Sequence, residues 1–127
     1  MNIPLSAERV SAGFPSPADS HIEAPLDLNA YLIRHPAATF FVRVAGDSMI
    51  GAGIYSGDIL IVDRSVEATD KKVVIAIVDG ELTVKRLRIH EGRIILLPEN
   101  DAYPPISVED GTELEIWGVV TTVIHPV

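Results

Sequence analysis

Residues 72–89 read KVVIAIVDGELTVKRLRI, two strand-like runs joined by Asp79-Gly80. The Asp-Gly pair favours a two-residue type I′ turn, so this stretch predicts a β-hairpin. Outward from the hairpin, other short apolar runs are bounded by turn residues, at 39–44, 58–63, 93–97 and 114–124. Together these runs predict a mainly β fold, a twisted antiparallel sheet of barrel-like or sandwich-like form.

Length and charge narrow the classes of function. The chain has 127 residues, of which 47% are apolar and 6% aromatic, enough for one domain with an aliphatic core. Its 18 acidic and 10 basic residues give a formal net charge of -8. A surface of that sign repels phosphate backbones, so the composition argues against strong direct DNA binding.

Composition also bears on the compartment and on cofactors. The chain contains no cysteine, which excludes disulfides and thiolate metal sites and suits a reducing cytosol. No spacing of Asp, Glu or His matches a calcium loop or a zinc pattern, so we expect neither a metal nor another cofactor. The longest apolar run, Val73 to Val78, is far shorter than the roughly 20 residues that span a bilayer, and the start of the chain does not resemble a signal peptide. We therefore expect a cytoplasmic protein without a membrane partner.

Residues 1–38 differ in character from the rest of the chain. Prolines and small residues interrupt the first 26 positions, which show no sustained helical or strand period and predict an extended, mobile arm. Residues 27–34 predict one short helix behind an Asp27 cap. The predicted organisation is thus an arm, 1–38, and a β domain, 39–127.

Within the arm, Ala12-Gly13 is followed by an aromatic residue and two prolines. Small residues next to a chain stiffened by proline make a segment that could enter a cleft. The alternative is an ordinary disordered terminus with incidental prolines.

Lys85 differs from the other two lysines of the chain in its predicted surroundings. Side chains alternate along a strand, so Lys85 shares a face with Leu87 and Ile89, while Lys71 and Lys72 lie in a polar turn. At an ordinary pKa of about 10.4, only about one lysine in 2,500 is neutral at pH 7, and burial lowers that pKa. The sequence therefore predicts Lys85 as the lysine able to act as a base. The alternative is an amphipathic lysine that reaches from a sheet edge to solvent.

Ser48 is the matching candidate nucleophile. It lies in Gly46-Asp47-Ser48-Met49, after the predicted strand 39–44 and before a glycine-rich turn. A serine hydroxyl needs a base, and the four histidines are scattered and no Gly-x-Ser-x-Gly motif occurs, so a Ser/His/Asp triad has little support. The backbone amides of Ser48 and Met49 are candidates for an oxyanion hole. The alternative is an ordinary turn serine that caps its neighbours.

Several motifs together resemble the LexA/UmuD family of self-cleaving serine peptidases. They are Gly-Asp-Ser-Met at 46–49, the strand 58–63, the hairpin leading to Thr-Val-Lys at 83–85, and Leu-Pro-Glu-Asn at 97–100. The resemblance extends from about Ala12 to Val123 and implies a fold like the LexA C-terminal domain. It also implies that Ser48 is the nucleophile and Lys85 the general base, and that the chain cuts itself at an Ala-Gly bond, which maps onto Ala12-Gly13.

The resemblance further implies a trigger and partners. In this family the RecA filament on single-stranded DNA stimulates cleavage after DNA damage. The trimmed product, here 13–127, would form a homodimer and join a UmuC-like subunit of a Y-family polymerase for error-prone translesion synthesis in the SOS response. Roughly 25 residues separate Gly13 from Thr39 and could extend about 80 Å, so cleavage of the same chain and of a dimer partner are both within reach.

One expected difference from the family and one alternative function accompany this resemblance. Repressors of the family carry a helix-turn-helix domain ahead of the cleavage site, and only 12 residues precede it here, so we do not expect a repressor. The alternative function is a non-catalytic β-rich dimerisation or binding module, in which Ser48 and Lys85 are purely structural.

Overall fold

The computed structural model describes residues 2–6 and 22–127, with side chains from Pro25 onward. It divides the chain into two units, Met1–Arg34 and His35–Val127. The division predicted from the sequence, with its boundary after residue 38, stays a prediction.

In the first unit, strand β1 (Asn2–Ser6) pairs antiparallel with β2 (Ile22–Asp27), and helix α1 (Leu28–Leu32) follows. The Asp27 carboxylate accepts hydrogen bonds from two amides of α1, at 3.1 and 3.5 Å, as the predicted cap requires. The pairing of β1 with β2 differs from the arm without strands that the sequence predicts. Pro4 lies opposite Pro25, and proline removes both the alternation and the amide donors by which a strand is recognised.

The second unit contains the remaining strands. They are β3 (Thr39–Arg43), β4 (Ile59–Asp63), β5 (Val73–Val78), β6 (Glu81–His90), β7 (Arg93–Leu97), β8 (Ile106–Val108) and β9 (Leu114–Ile124). All neighbours pair antiparallel in one sheet of order β3-β4-β9-β5-β6-β7-β8. The mainly β, antiparallel fold with one short helix is therefore confirmed. The sheet is open, with β3 and β8 at its edges, and does not close into a barrel.

The hairpin of β5 and β6 forms as the sequence predicts. Val78 pairs with Glu81, and both intervening residues have positive φ, 48° at Asp79 and 85° at Gly80. Positive φ at both central positions defines the type I′ turn, whose twist matches that of the flanking strands. The turn fixes the register of β6 against β5 and so decides which side of the sheet each β6 side chain faces.

Strand β9 lies at the centre of the sheet and is irregular at two points. Its register against β5 skips Trp117, and its register against β4 skips Thr121. A Cβ on Gly118 would lie 2.6 Å from Val62 Cγ1, so any larger residue would displace Val62 or β9 where the two strands pair. Bulges of this kind bend a strand and increase the local twist of the sheet.

The bent sheet buries apolar side chains on both faces. One cluster comprises Val44, Met49, Ile54, Leu60, Val62 and Ile75, and the other comprises Val74, Ala76, Leu87, Leu96 and Val119. Val74 and Ile75 are neighbours in β5 and belong to different clusters because successive side chains face opposite ways. Burial on both faces explains why β4 and β5 are almost continuously apolar.

Candidate active site

The fold brings Ser48 and Lys85 together although 37 positions separate them in the sequence. Ser48 lies in the loop after β3, Lys85 lies in β6, and 2.9 Å separates Lys85 Nζ from Ser48 Oγ. Lys85 Nζ also lies 2.8 Å from Thr83 Oγ1 and 3.0 Å from the carbonyl oxygen of Val84. A carbonyl can only accept, so it binds an N–H of the amine. With Thr83 as a second acceptor, a neutral amine can turn its lone pair toward the Ser48 hydroxyl.

Lys85 is enclosed by protein. Only 8% of its surface is exposed, and no carboxylate in the described part of the chain forms an ion pair with it. Burial without a compensating negative charge disfavours the ammonium form, and desolvation accordingly lowers the pKa of Lys85 below its ordinary value. Lys71 and Lys72, by contrast, are exposed, as predicted for a polar turn.

The loop that carries Ser48 is bound to the segment after β7. The amide of Glu99 donates to the carbonyl of Ser48 at 2.8 Å, and the amide of Gly51 donates to the carbonyl of Glu99 at 2.7 Å. A Cβ on Gly51 would lie 2.7 Å from that same carbonyl oxygen, which no ordinary side chain could occupy without moving one of the two segments. The loop is thus held by close backbone contact on both sides of Met49.

Asp47 attaches the same loop through two side chains. Asn100 Nδ2 donates to the Asp47 carbonyl at 3.0 Å, and the Tyr103 hydroxyl donates to the Asp47 carboxylate. The hydrogen bond to that carboxylate raises the pKa of Tyr103. Sequence reasoning did not assign Glu99, Asn100 or Tyr103 to the site; the Leu-Pro-Glu-Asn motif at 97–100 was the signal that could have located the first two.

Met49 anchors the loop in the core. Its side chain is 1% exposed, and its carbonyl accepts from the amides of Ala52 and Ile54. The amides of Ser48 and Met49 themselves donate no hydrogen bond to another described residue. Two amides beside a serine hydroxyl are the donors that an oxyanion hole needs, and their role stays a prediction.

A cavity of about 250 Å³ opens beside Ser48. Its lining combines aliphatic side chains with the polar side chains of Arg43, Ser48 and Thr83; the aliphatic members are Val42, Val44, Leu60, Ile75, Leu82 and Val84. The cavity therefore offers a substrate segment both apolar and polar contacts next to the serine hydroxyl.

Two histidines form hydrogen bonds with buried carboxylates away from Ser48. His125 Nδ1 lies 2.6 Å from Asp58 Oδ1, and His35 Nδ1 lies 2.5 Å from Asp63 Oδ2. Both carboxylates are buried at the ends of β4, and hydrogen bonds from the Ser65 hydroxyl and then His35 hold the pKa of Asp63 at about 2. Lys85 is therefore the titratable side chain that meets the Ser48 hydroxyl.

The other sequence predictions have the following outcomes. Ala12 and Gly13 lie outside the described residues. In the ranges 2–6 and 22–127, no group of three or more His, Asp or Glu side chains is placed to hold a metal ion. None of the helices described there has the length and apolar character needed to cross a membrane.

Comparison with known proteins places this chain in a family. The Peptidase S24-like family matches residues 4–121. The chain is 56% identical over 122 residues to the protein SamA of Salmonella typhimurium, covering 96% of this chain and 84% of SamA. It is 45% identical over 129 residues to MucA of Escherichia coli, covering 99% of this chain and 88% of MucA. It is 40% identical over 117 residues to the LexA repressor of Bordetella petrii, covering 92% of this chain and 52% of that repressor. These matches confirm the resemblance that the motifs predict, and the chain belongs to the Peptidase S24-like family.

Proposed function

We propose that this protein is a self-cleaving serine peptidase of the UmuD type, in which Ser48 and Lys85 cut the chain's own Ala12-Gly13 bond. The observation that carries the proposal is the 2.9 Å contact between Lys85 Nζ and Ser48 Oγ at a buried lysine without an acidic partner among the described residues. A lysine with a purely structural role would be stabilised most by a carboxylate partner. A lysine that acts as a base needs its neutral form, which the absence of a carboxylate favours.

The reaction proceeds by acyl transfer. The neutral Lys85 amine removes the Ser48 proton as Oγ attacks the carbonyl carbon of Ala12, and the amides of Ser48 and Met49 stabilise the resulting oxyanion. The Lys85 ammonium then gives its proton to the departing amine of Gly13. Water, deprotonated by Lys85, hydrolyses the acyl-enzyme and releases residues 1–12 with a free carboxylate.

The surroundings of the lysine favour its neutral form. Lys85 is 8% exposed, and desolvation by burial lowers its pKa below the ordinary value, which increases the fraction of amine able to act as a base.

The cleavage assay tests this activity. The purified protein is incubated with RecA, nucleotide and single-stranded DNA, or alone at alkaline pH, and its mass is followed over time. We expect fragments 1–12 and 13–127 from the wild-type chain and none from Ser48→Ala. Full-length protein that persists under both conditions, with the RecA filament shown to be active, would contradict the proposal. It would instead favour a non-catalytic β-rich binding module.

At the level of the cell, the proposed activity is a step in SOS mutagenesis in the cytoplasm. RecA-stimulated cleavage yields 13–127, which acts as a homodimer and an accessory subunit of a UmuC-like Y-family translesion polymerase. The similarity to SamA and MucA across most of their lengths supports this placement. Light scattering on 13–127, alone and mixed with a UmuC-like subunit, tests both assemblies; a monomer that stays monomeric in the mixture would contradict them.

A further inference from the structure

Glu99 is bonded to the loop that carries Ser48 and to the strand that carries Lys85. Its backbone amide donates to the Ser48 carbonyl at 2.8 Å, and its carbonyl accepts from the Gly51 amide at 2.7 Å. Its side chain reaches in the other direction, where Oε1 accepts from Arg86 Nε at 2.8 Å. Arg86 directly follows Lys85 in β6. One residue therefore joins the serine loop to the strand that carries the lysine.

The arginine is itself held at two points. Besides Glu99, its guanidinium binds the carbonyl of Lys71, at 3.0 Å from Nη1. The side chains of Arg86 and Glu99 are 29% and 30% exposed, so solvent screens the pair and its net contribution to stability is small. Its geometric effect is larger, because a planar guanidinium fixed at two atoms has few alternative positions.

We propose that Arg86 and Glu99 form a positioning pair that sets the distance between Ser48 Oγ and Lys85 Nζ. The proposal rests on the proposed peptidase function and assigns these residues no contact with the reacting atoms. Arg86 and Glu99 act through their neighbours: Glu99 through the backbone of the serine loop, and Arg86 through β6. Loss of the ion pair lets the Glu99 segment shift relative to Arg86, while β6 and β7 stay paired from Arg86 to His90.

The size of the effect follows from the geometry that proton transfer needs. A displacement of about 1 Å in a reacting group can lower a rate about 100-fold. We therefore expect Glu99→Gln and Arg86→Met each to lower the rate of self-cleavage by about 10- to 100-fold. The charge-swapped double variant, Arg86→Glu with Glu99→Arg, should recover most of the lost rate, since it restores an ion pair between the same two positions.

The pH profile separates positioning from a purely electrostatic role. The rate is measured at increasing pH until it levels off, where Lys85 is fully neutral whatever its pKa. Positioning predicts a lower plateau in the single variants. A charge effect on Lys85 would move the midpoint and leave the plateau unchanged, and that result would overturn the proposal.

The chain offers a matched control on the same strand. Arg88 pairs with Asp70 at 3.1 Å, two positions further along β6, and this pair does not contact the serine loop. Asp70→Asn should leave the plateau rate within about twofold of the wild type, because a partly exposed ion pair contributes little by itself. An equal loss in Asp70→Asn and Glu99→Gln would show general weakening of β6 and would overturn the positioning role.

A second measurement decides the proposal without relying on cleavage. In protein labelled with ¹³C-lysine, only three lysines contribute side-chain signals, and Lys85→Ala identifies the signal of Lys85. We expect Glu99→Gln to shift the Cε resonance of Lys85, the charge-swapped variant to return it toward its wild-type position, and Asp70→Asn to leave it in place. If the wild-type chain stays intact in the cleavage assay, the peptidase function fails, and an unmoved Lys85 signal in Glu99→Gln separately overturns the positioning.

Discussion

Lys72 and Lys85 belong to the two arms of one hairpin, and their amines have different surroundings. Lys72 immediately precedes β5 and is exposed, and its carbonyl accepts from the Leu87 amide at 2.7 Å. Lys85 lies within β6, is 8% exposed, and has its amine among three oxygen atoms, one of them Ser48 Oγ. Position in the strand, which sets burial, therefore distinguishes the candidate base from an ordinary surface lysine.

The strongest test of this contrast is to remove each amine in turn. Lys85→Ala should lower the rate of self-cleavage by about 10²- to 10⁴-fold, the usual contribution of a general base, because Lys85 holds the amine that contacts Ser48 Oγ among the described residues. Lys72→Ala should cleave at close to the wild-type rate. Fragment mass measured over time gives both rates. Normal processing by Lys85→Ala would remove this residue from the mechanism.

Truncating a buried residue of β6, and then the exposed Lys72, tests the difference in burial between the two places. Leu87 is 2% exposed, so Leu87→Ala should lower the free energy of unfolding by about 2–5 kcal/mol through lost contacts and a residual cavity. Lys72→Ala, at the exposed end of the hairpin, should change it by no more than about 0.5 kcal/mol. Urea denaturation gives both values. Similar losses in the two variants would contradict the conclusion that Leu87 in β6 is more buried than Lys72.

The pH dependence of cleavage tests the lowered pKa of Lys85. The amine must be neutral to accept the Ser48 proton, so the rate should rise about tenfold per pH unit while the ammonium form dominates and then level off. Because desolvation lowers the pKa of Lys85, the midpoint should lie below the ordinary lysine value of about 10.4. The measurement is the rate without RecA across the alkaline range. A midpoint at or above the ordinary value would contradict the lowering of the Lys85 pKa by burial.

The smallest expected effect concerns the Asp79-Gly80 turn, which fixes the register of β6 and so the face on which Lys85 lies. Gly80 has φ of 85°, and no atom lies within 4 Å of an added Cβ, so Gly80→Ala meets only the conformational cost of a left-handed residue. We expect a loss of about 1–2 kcal/mol in the free energy of unfolding. Gly92→Ala, in the turn between β6 and β7 with φ of 77°, is the matched control and should lose a similar amount. A gain in stability on Gly80→Ala would contradict the type I′ geometry.

The sequence predicts those parts of the fold that depend on residues close together in the chain. Strands β3 to β7 and β9 occur where apolar runs predict them, and Asp79-Gly80 forms the predicted turn. Strand β8, with three residues, lies outside the apolar runs that predict strands, because three positions carry too little alternation to predict a strand. The pairing of β1 with β2 was missed for a related reason, since its partners are distant in sequence and interrupted by prolines.

In the candidate site, too, some residues are predictable from local sequence and others depend on long-range contacts. Ser48 and Lys85 could be selected because the serine follows a strand and the lysine shares a strand face with aliphatic residues. The contacts of Glu99, Asn100 and Tyr103 with the serine loop depend on where the chain leaves β7, which apolar periodicity does not encode. The Leu-Pro-Glu-Asn motif at 97–100 is the one local signal for the first two. The histidine pairs with Asp58 and Asp63 likewise join residues 67 and 28 positions apart.

The close packing of Gly51 against Glu99 has a consequence for sequence variation. Gly51 lies in an exposed loop, and by exposure alone a library of variants would be expected to tolerate many residues there. Any side chain would, however, push the serine loop away from the Glu99 carbonyl while leaving the sheet intact. A mutational scan should therefore find position 51 permissive when variants are selected for soluble expression and restricted to glycine when they are selected for processing, which marks it as a position where folding and activity can be separated.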